Sequence, residues 1–219
     1  MKRLCVLLSV CLVCSGFVSA QDSWIEKPVN WGFKVGLNSE LPSAKITTET
    51  PTLNVVPENK VGYLIGSFVR LNMKRIFIQP ELSYNYSHEC FLLQNENRIT
   101  QTSYNVKMRG IDASALIGYN TVKEKEYLFS LYSGCNIRYA YQTDIERSGI
   151  NNYTEKHAIH NLYLVAGIGA SISHIIFDFR YGIGLFDRPI GLNSYTISLE
   201  NVALERRTNT LSFSFGFMF

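Results

Sequence analysis

This sequence is short of cysteine, of charge imbalance and of long apolar stretches, and each shortage excludes something. Of five cysteines, Cys5, Cys11 and Cys14 lie in the first 20 residues, leaving Cys90 and Cys135. Two such residues make neither a disulfide framework nor a zinc site. Lys and Arg total 21 against 18 Asp and Glu; without Lys2 and Arg3 the remainder is 19 against 18, or +1. The basic field that nucleic acid requires is therefore missing, and no nucleic-acid partner is expected. After residue 20 no apolar run approaches the roughly 18 residues of a transmembrane helix. A phosphate-binding strand-to-helix loop is absent too, since GIGAS at 167–171 and YGIG at 181–184 lie inside alternating segments. No catalytic, cofactor-binding or metal-ligating set emerges.

What is present begins with MKRLCVLLSVCLVCSGFVSAQ. Two basic residues, a short apolar run and small residues at Val18 and Ala20 predict a secretory signal peptide over 1–20, cleaved after Ala20. Residues 21–30 are then a periplasmic segment and 31–219 a single domain.

That domain alternates. The last nine residues, LSFSFGFMF, place Leu211, Phe213, Phe215, Phe217 and Phe219 on one face of an extended strand and Ser212, Ser214, Gly216 and Met218 on the other. The same period of two marks eight segments: 31–40, 61–72, 76–87, 104–118, 127–141, 160–172, 175–186 and 210–219. Connections between them alternate between long (41–60, 88–103, 142–159, 187–209) and short (73–75, 119–126, 173–174). An even strand number with long loops at one end and tight turns at the other predicts an all-β, eight-stranded antiparallel up-and-down transmembrane barrel.

The two faces say which solvent lies outside. One parity carries Phe33, Leu37, Ile65, Leu82, Ile117, Leu164 and Phe179; the other carries polar side chains and all twelve glycines inside the segments. A water-soluble barrel fills its interior with apolar side chains, so a polar interior under an apolar exterior means bilayer, where sheet edges must close on each other. The lumen is expected to hold Lys34, Arg70, Arg138 and Arg180 against Glu81, Asp112 and Asp178, with glycines making room for the basic stems. Near-balance of sign is required because an unpaired buried charge costs several kcal/mol. A packed, non-conducting plug follows. Aromatic belts are expected at Trp31, Tyr119, Tyr127 and Phe219 on the turn side and at Tyr84, Tyr86, Tyr104, Tyr139, Tyr141 and Tyr163 on the loop side. Pro80, unable to donate to the ladder, predicts a bulge. Lys107 and Arg109 break the apolar parity of their segment, which places them above the membrane or on a bulged strand.

WGFKVGLNSE at 31–40, the spacing of the eight segments and the aromatic C-terminal segment together resemble the Bacteroidetes outer-membrane β-barrel domain family that includes the PorT-like proteins. The resemblance implies the outer membrane of a Gram-negative cell and insertion by the barrel assembly machinery, with Phe215, Phe217 and Phe219 as the assembly signal. PorT is associated with type IX secretion. The expected function is that of a structural or interaction protein, not an enzyme, whose partners are outer-membrane lipid and an envelope protein met through the long loops. Two alternatives are a barrel enzyme that modifies lipid A, for which His88 with Ser87 and Glu89 is the least unsuitable group, and a narrow channel.

Overall fold

The structure, a computed structural model, describes residues 27–46, 53–95, 98–124, 127–147, 150–155, 159–186, 188–192 and 202–219. Eleven strands lie among them: β1 (Val29–Ile46), β2 (Leu53–Asn59), β3 (Val61–Met73), β4 (Ile76–Asn95), β5 (Arg98–Lys123), β6 (Tyr127–Arg147), β7 (Ile150–Glu155), β8 (Ile159–Ile172), β9 (Ile175–Gly184), β10 (Arg188–Leu192) and β11 (Val202–Met218). They build eight staves, because three short strands prolong longer ones. Both β2 and β3 pair with β4, both β7 and β8 with β6, and both β9 and β10 with β11. All pairs are antiparallel. β1 closes the barrel on β11, from Gly32 opposite Met218 to Ile46 opposite Leu204.

The eight expected segments all fall on these staves, but the strands outrun them. Residues 88–103, expected as a long loop, are mostly ladder: β4 and β5 stay paired up to Asn95 opposite Arg98. The period-two pattern reports lipid on one face, and it fades where both faces leave the bilayer although hydrogen bonding continues.

Side chains alternate strictly over β3 and β9, with exposed Ile65, Phe177 and Phe179 facing out and Leu64, Ile176 and Asp178 facing in. Three expectations need correction. Pro80 points outward without a bulge: Pro80 stays opposite Ala115, and the β3–β4 register is the same before and after it. A proline removes one donor, and pairing toward β3 merely lapses at Val69 and Arg70. Tyr163 belongs to no belt, being buried in the lumen at 2 % exposure, as its parity opposite Leu164 requires. The side chain of Tyr104 lies outside those described. Finally, the interior is not only Gly, Ser and charge. Phe68, Leu128, Ile176 and Met218 form an apolar floor at the turn end, and Phe77, Leu116, Tyr132, Tyr163 and Val165 form a second cluster.

The rings of Phe68, Phe77 and Tyr132 each lie over a cross-strand glycine, Gly32, Gly118 and Gly167 respectively. A methyl group on Gly118 would sit inside the Phe77 ring. These glycines make room for aromatic rings, whereas Lys34, set between Gly66 and Gly216, fits the expectation of space for a basic stem.

Lys107 and Arg109 both face outward, and the partner strand is bulged beside them. Arg109 opposes Gln142 while Gly110 opposes Ala140, so Tyr141 is an extra residue on β6. Beyond it the parity of β6 inverts, burying Thr143 and bringing Gln142 and Asp144 out beside the two cations. Cys90 is buried and Cys135 exposed on the outer wall, and the two are not joined in a disulfide.

Candidate functional site

The lumen is the one place where this fold concentrates chemistry-bearing side chains away from water. Each arrives there by strand parity. Lys34, Asn38 and Glu40 come from β1, Arg70 from β3, Gln79, Glu81 and Asn85 from β4, Asp112 from β5, Tyr132 and Arg138 from β6, and Asp178 and Arg180 from β9.

They sort into two layers. In the layer nearer the turns Glu81 is the hub. Its Oε2 accepts from Lys34 Nζ at 2.6 Å and from Arg180 Nη1 at 2.8 Å, while Oε1 accepts from Gln79 Nε2 at 2.6 Å and Arg180 Nη2 at 3.2 Å. Asp178 accepts from Arg180 and from the Tyr132 hydroxyl, and lies 3.8 Å from Lys34 Nζ. Arg70 donates through Nε to Gln79 Oε1 at 2.6 Å and stacks over Phe77, its Cζ 4.2 Å from the ring centre. The void bounded by Lys34, Arg70, Gln79, Tyr132 and Asp178 is about 10 Å³, room for about one water.

The upper layer is centred on Arg138. Its Nε and Nη2 grip Asp112 at 2.8 and 3.0 Å, Nη1 donates to Glu40, and its Cζ lies 5.2 Å above the Tyr163 ring. Asp112 Oδ2 also accepts from Asn85 at 3.2 Å and Asn136 at 3.3 Å, and Asn38 donates to Asn85 Oδ1 at 3.0 Å.

All seven residues expected in the lumen are there, and the two layers divide them: Lys34, Arg70, Glu81, Asp178 and Arg180 below, Asp112 and Arg138 above. Sequence reasoning missed Glu40. Its parity pointed to it, since Glu40 lies on the same face of β1 as Lys34 and Asn38. Within the two layers Glu40 makes four anions against four cations, the lower layer carrying one excess cation and the upper one excess anion; Glu89 is a further carboxylate buried on the lumen side, nearer the loops. Neither tyrosine hydroxyl chemistry nor the arginine stacking leaves a trace in the period-two pattern.

Phe215, Phe217 and Phe219 face outward on β11 and are all exposed. Phe219 stacks on Trp31 at 4.4 Å, and its amide donates to the Trp31 carbonyl at 2.8 Å. The His88 group does not assemble: Ser87 and Glu89 are buried on the lumen side and His88 faces outward, as adjacent strand residues must. His160 lies by Tyr139 and His174 by Phe217, at opposite ends of the barrel, and His157 falls outside the described residues.

Residues 19–188 match the family model described as the outer membrane protein beta-barrel domain. The chain belongs to that family. It is an outer-membrane β-barrel protein, and its place is the outer membrane. Among solved structures, OprG from Pseudomonas aeruginosa is similar at 10 % identity and a TM-score of 0.61, over 90 % of this chain and 99 % of that one. The attachment invasion locus protein Ail of Yersinia pestis, in complex with sucrose octasulfate, aligns at 11 % identity and a TM-score of 0.48, over 88 % and 100 % of the two chains. The outer membrane protease OmpT from Escherichia coli aligns at 10 % and 0.46, over 89 % and 100 %. At such identities OprG speaks for the barrel alone. No curated protein sequence matches the chain significantly.

Proposed function

We propose that this outer-membrane barrel is a non-enzymatic structural and interaction protein: a plugged support that holds its loop-side extensions outside the cell for an envelope partner. One observation carries the reading, the filling of the lumen by two ion-paired layers over an apolar floor. Among the described residues the charged groups of this interior are spent largely on one another, and no histidine enters it. A lipid A-modifying enzyme would need the Ser87, His88, Glu89 type of grouping on one face of the wall, and those residues are divided between two.

Planar-bilayer recording tests the plug against the channel alternative. The purified barrel is expected to insert without stable conductance at neutral pH, and a persistent open level would end the proposal. Crosslinked pull-downs from intact envelopes would identify what the extensions touch.

The finer assignments belong to the same proposal. They are PorT-like membership with a place beside a surface or secretion assembly, a signal peptide cleaved after Ala20, a periplasmic stretch over 21–30, and recognition of the last strand by the barrel assembly machinery. The stacked, outward-facing pair Trp31 and Phe219 supports the last of these. Phe219→Ser is expected to cut the amount of assembled barrel in outer-membrane fractions several-fold while total synthesis stays level. Equal assembled amounts would remove Phe219 from the signal.

A further inference from the structure

The outer wall carries an exposed arginine that makes no ion pair among the described residues. On β5 the outward residues from Ile111 to Tyr119 are apolar or small, a stretch of nine residues, which is the length of a membrane-crossing strand segment. Arg109 is the first outward residue beyond it on the loop side. Tyr84 and Tyr139 flank Ile111, and Tyr86 and Gln142 flank Arg109 one step higher. The guanidinium therefore sits at the upper edge of the aromatic belt, at headgroup level.

Arg109 is exposed, and among the described residues it makes no ion pair. Among the described residues its polar contact is a long one, Nη1 to Gln142 Oε1 at 3.4 Å. Gln142 is itself held, donating through Nε2 to both oxygens of Asp144 at 3.2 and 3.1 Å. The bulge at Tyr141 is what turns Gln142 and Asp144 to this face, so the strand defect orients the guanidinium. Lys107 lies two residues further along the same face. Beyond that contact the exposed guanidinium faces the layer where, on the loop side of an outer-membrane barrel, lipid phosphates lie.

We infer that Arg109, positioned by Gln142, is a binding site for the phosphate of an outer-leaflet glycolipid of the lipid A type, whose acyl chains lie on the Ile111 to Ile117 wall beneath. A soluble anion would use only the guanidinium, whereas the apolar surface directly below favours an amphiphile. Arg forks match phosphate oxygens in pairs, giving a charge-assisted and geometrically selective contact.

Native mass spectrometry of the full barrel in detergent micelles tests this, with bisphosphorylated lipid A, its enzymatically dephosphorylated form and phosphatidylglycerol as probes. Wild type is expected to retain bisphosphorylated lipid A about tenfold better than either of the others, and Arg109→Gln to lose that preference. Because Arg109 is exposed, the variant keeps the heat-modifiable gel mobility of a folded barrel. Arg75→Gln, which removes an exposed cation at the opposite, turn-side rim, is expected to leave the preference intact. Equal retention of the three lipids by wild type, a preference surviving Arg109→Gln, or a loss shared by Arg75→Gln would each overturn the site.

Discussion

Glu81→Gln is expected to lower the unfolding free energy of the barrel by about 3–5 kcal/mol, the cost of removing one partner from a buried ion network. Glu81 hydrogen-bonds both Lys34 and Arg180, whereas Asp178 reaches Lys34 only at 3.8 Å, and through Gln79 it also anchors Arg70. Once it is neutral, three cations face Asp178 alone in a space with room for about one water. The replacement is nearly isosteric, so lost packing does not contribute. Urea unfolding of the refolded protein in lipid vesicles provides the measurement. Adding Lys34→Met to Glu81→Gln is expected to restore part of the loss by removing a stranded charge. A single variant within about 1 kcal/mol of wild type would show the network to be dispensable.

Phe77→Ala is expected to cost a similar amount, about 3–5 kcal/mol. Phe77 is wholly buried, its ring covers Gly118 and the Arg70 guanidinium lies over its face. Truncation therefore opens a cavity and removes the surface on which an arginine is stacked. The glycine makes the prediction sharper. In wild type, Gly118→Ala forces the ring aside and is expected to cost about 1–3 kcal/mol. In the Phe77→Ala background the same methyl enters vacated space and is expected to cost nothing. Non-additivity above about 1 kcal/mol in that double-mutant cycle is the signature of ring-on-glycine packing. Additive effects would mean that Gly118 is there for some other reason.

How far the sequence could be followed is clearest at individual residues. Inside the membrane each residue answers to lipid on one side or to neighbours on the other. Parity alone therefore sorted Phe33 from Lys34 and Ile111 from Asp112, and it put the twelve glycines of the alternating segments inside. The loop-side extensions were invisible because water lies on both their faces and no alternation is demanded of TQTSYN at 100–105, yet the ladder continues through them. Pro80 was misjudged because its missing donor was charged to the whole strand, when only one of the two neighbouring strands loses a bond. Tyr163 was misjudged by its residue type, since a tyrosine near a strand end suggests a belt even when its parity points inward. The pairing of Glu40 with Arg138 joins residues 98 apart, and no local pattern signals it.

The extra residue at Tyr141 carries a consequence for how this wall tolerates insertions and deletions. Along β6, losing or gaining a single amino acid near the rim exchanges inside for outside for everything distal to it, sending Asp144 toward the axis and Thr143 toward the lipid. Losses or gains in pairs only shorten or lengthen the projection. Descendants of this gene are therefore free to grow or trim the loop-side β6–β7 hairpin in even steps, and an odd step survives only alongside a compensating irregularity such as the one between Ile145 and Arg147.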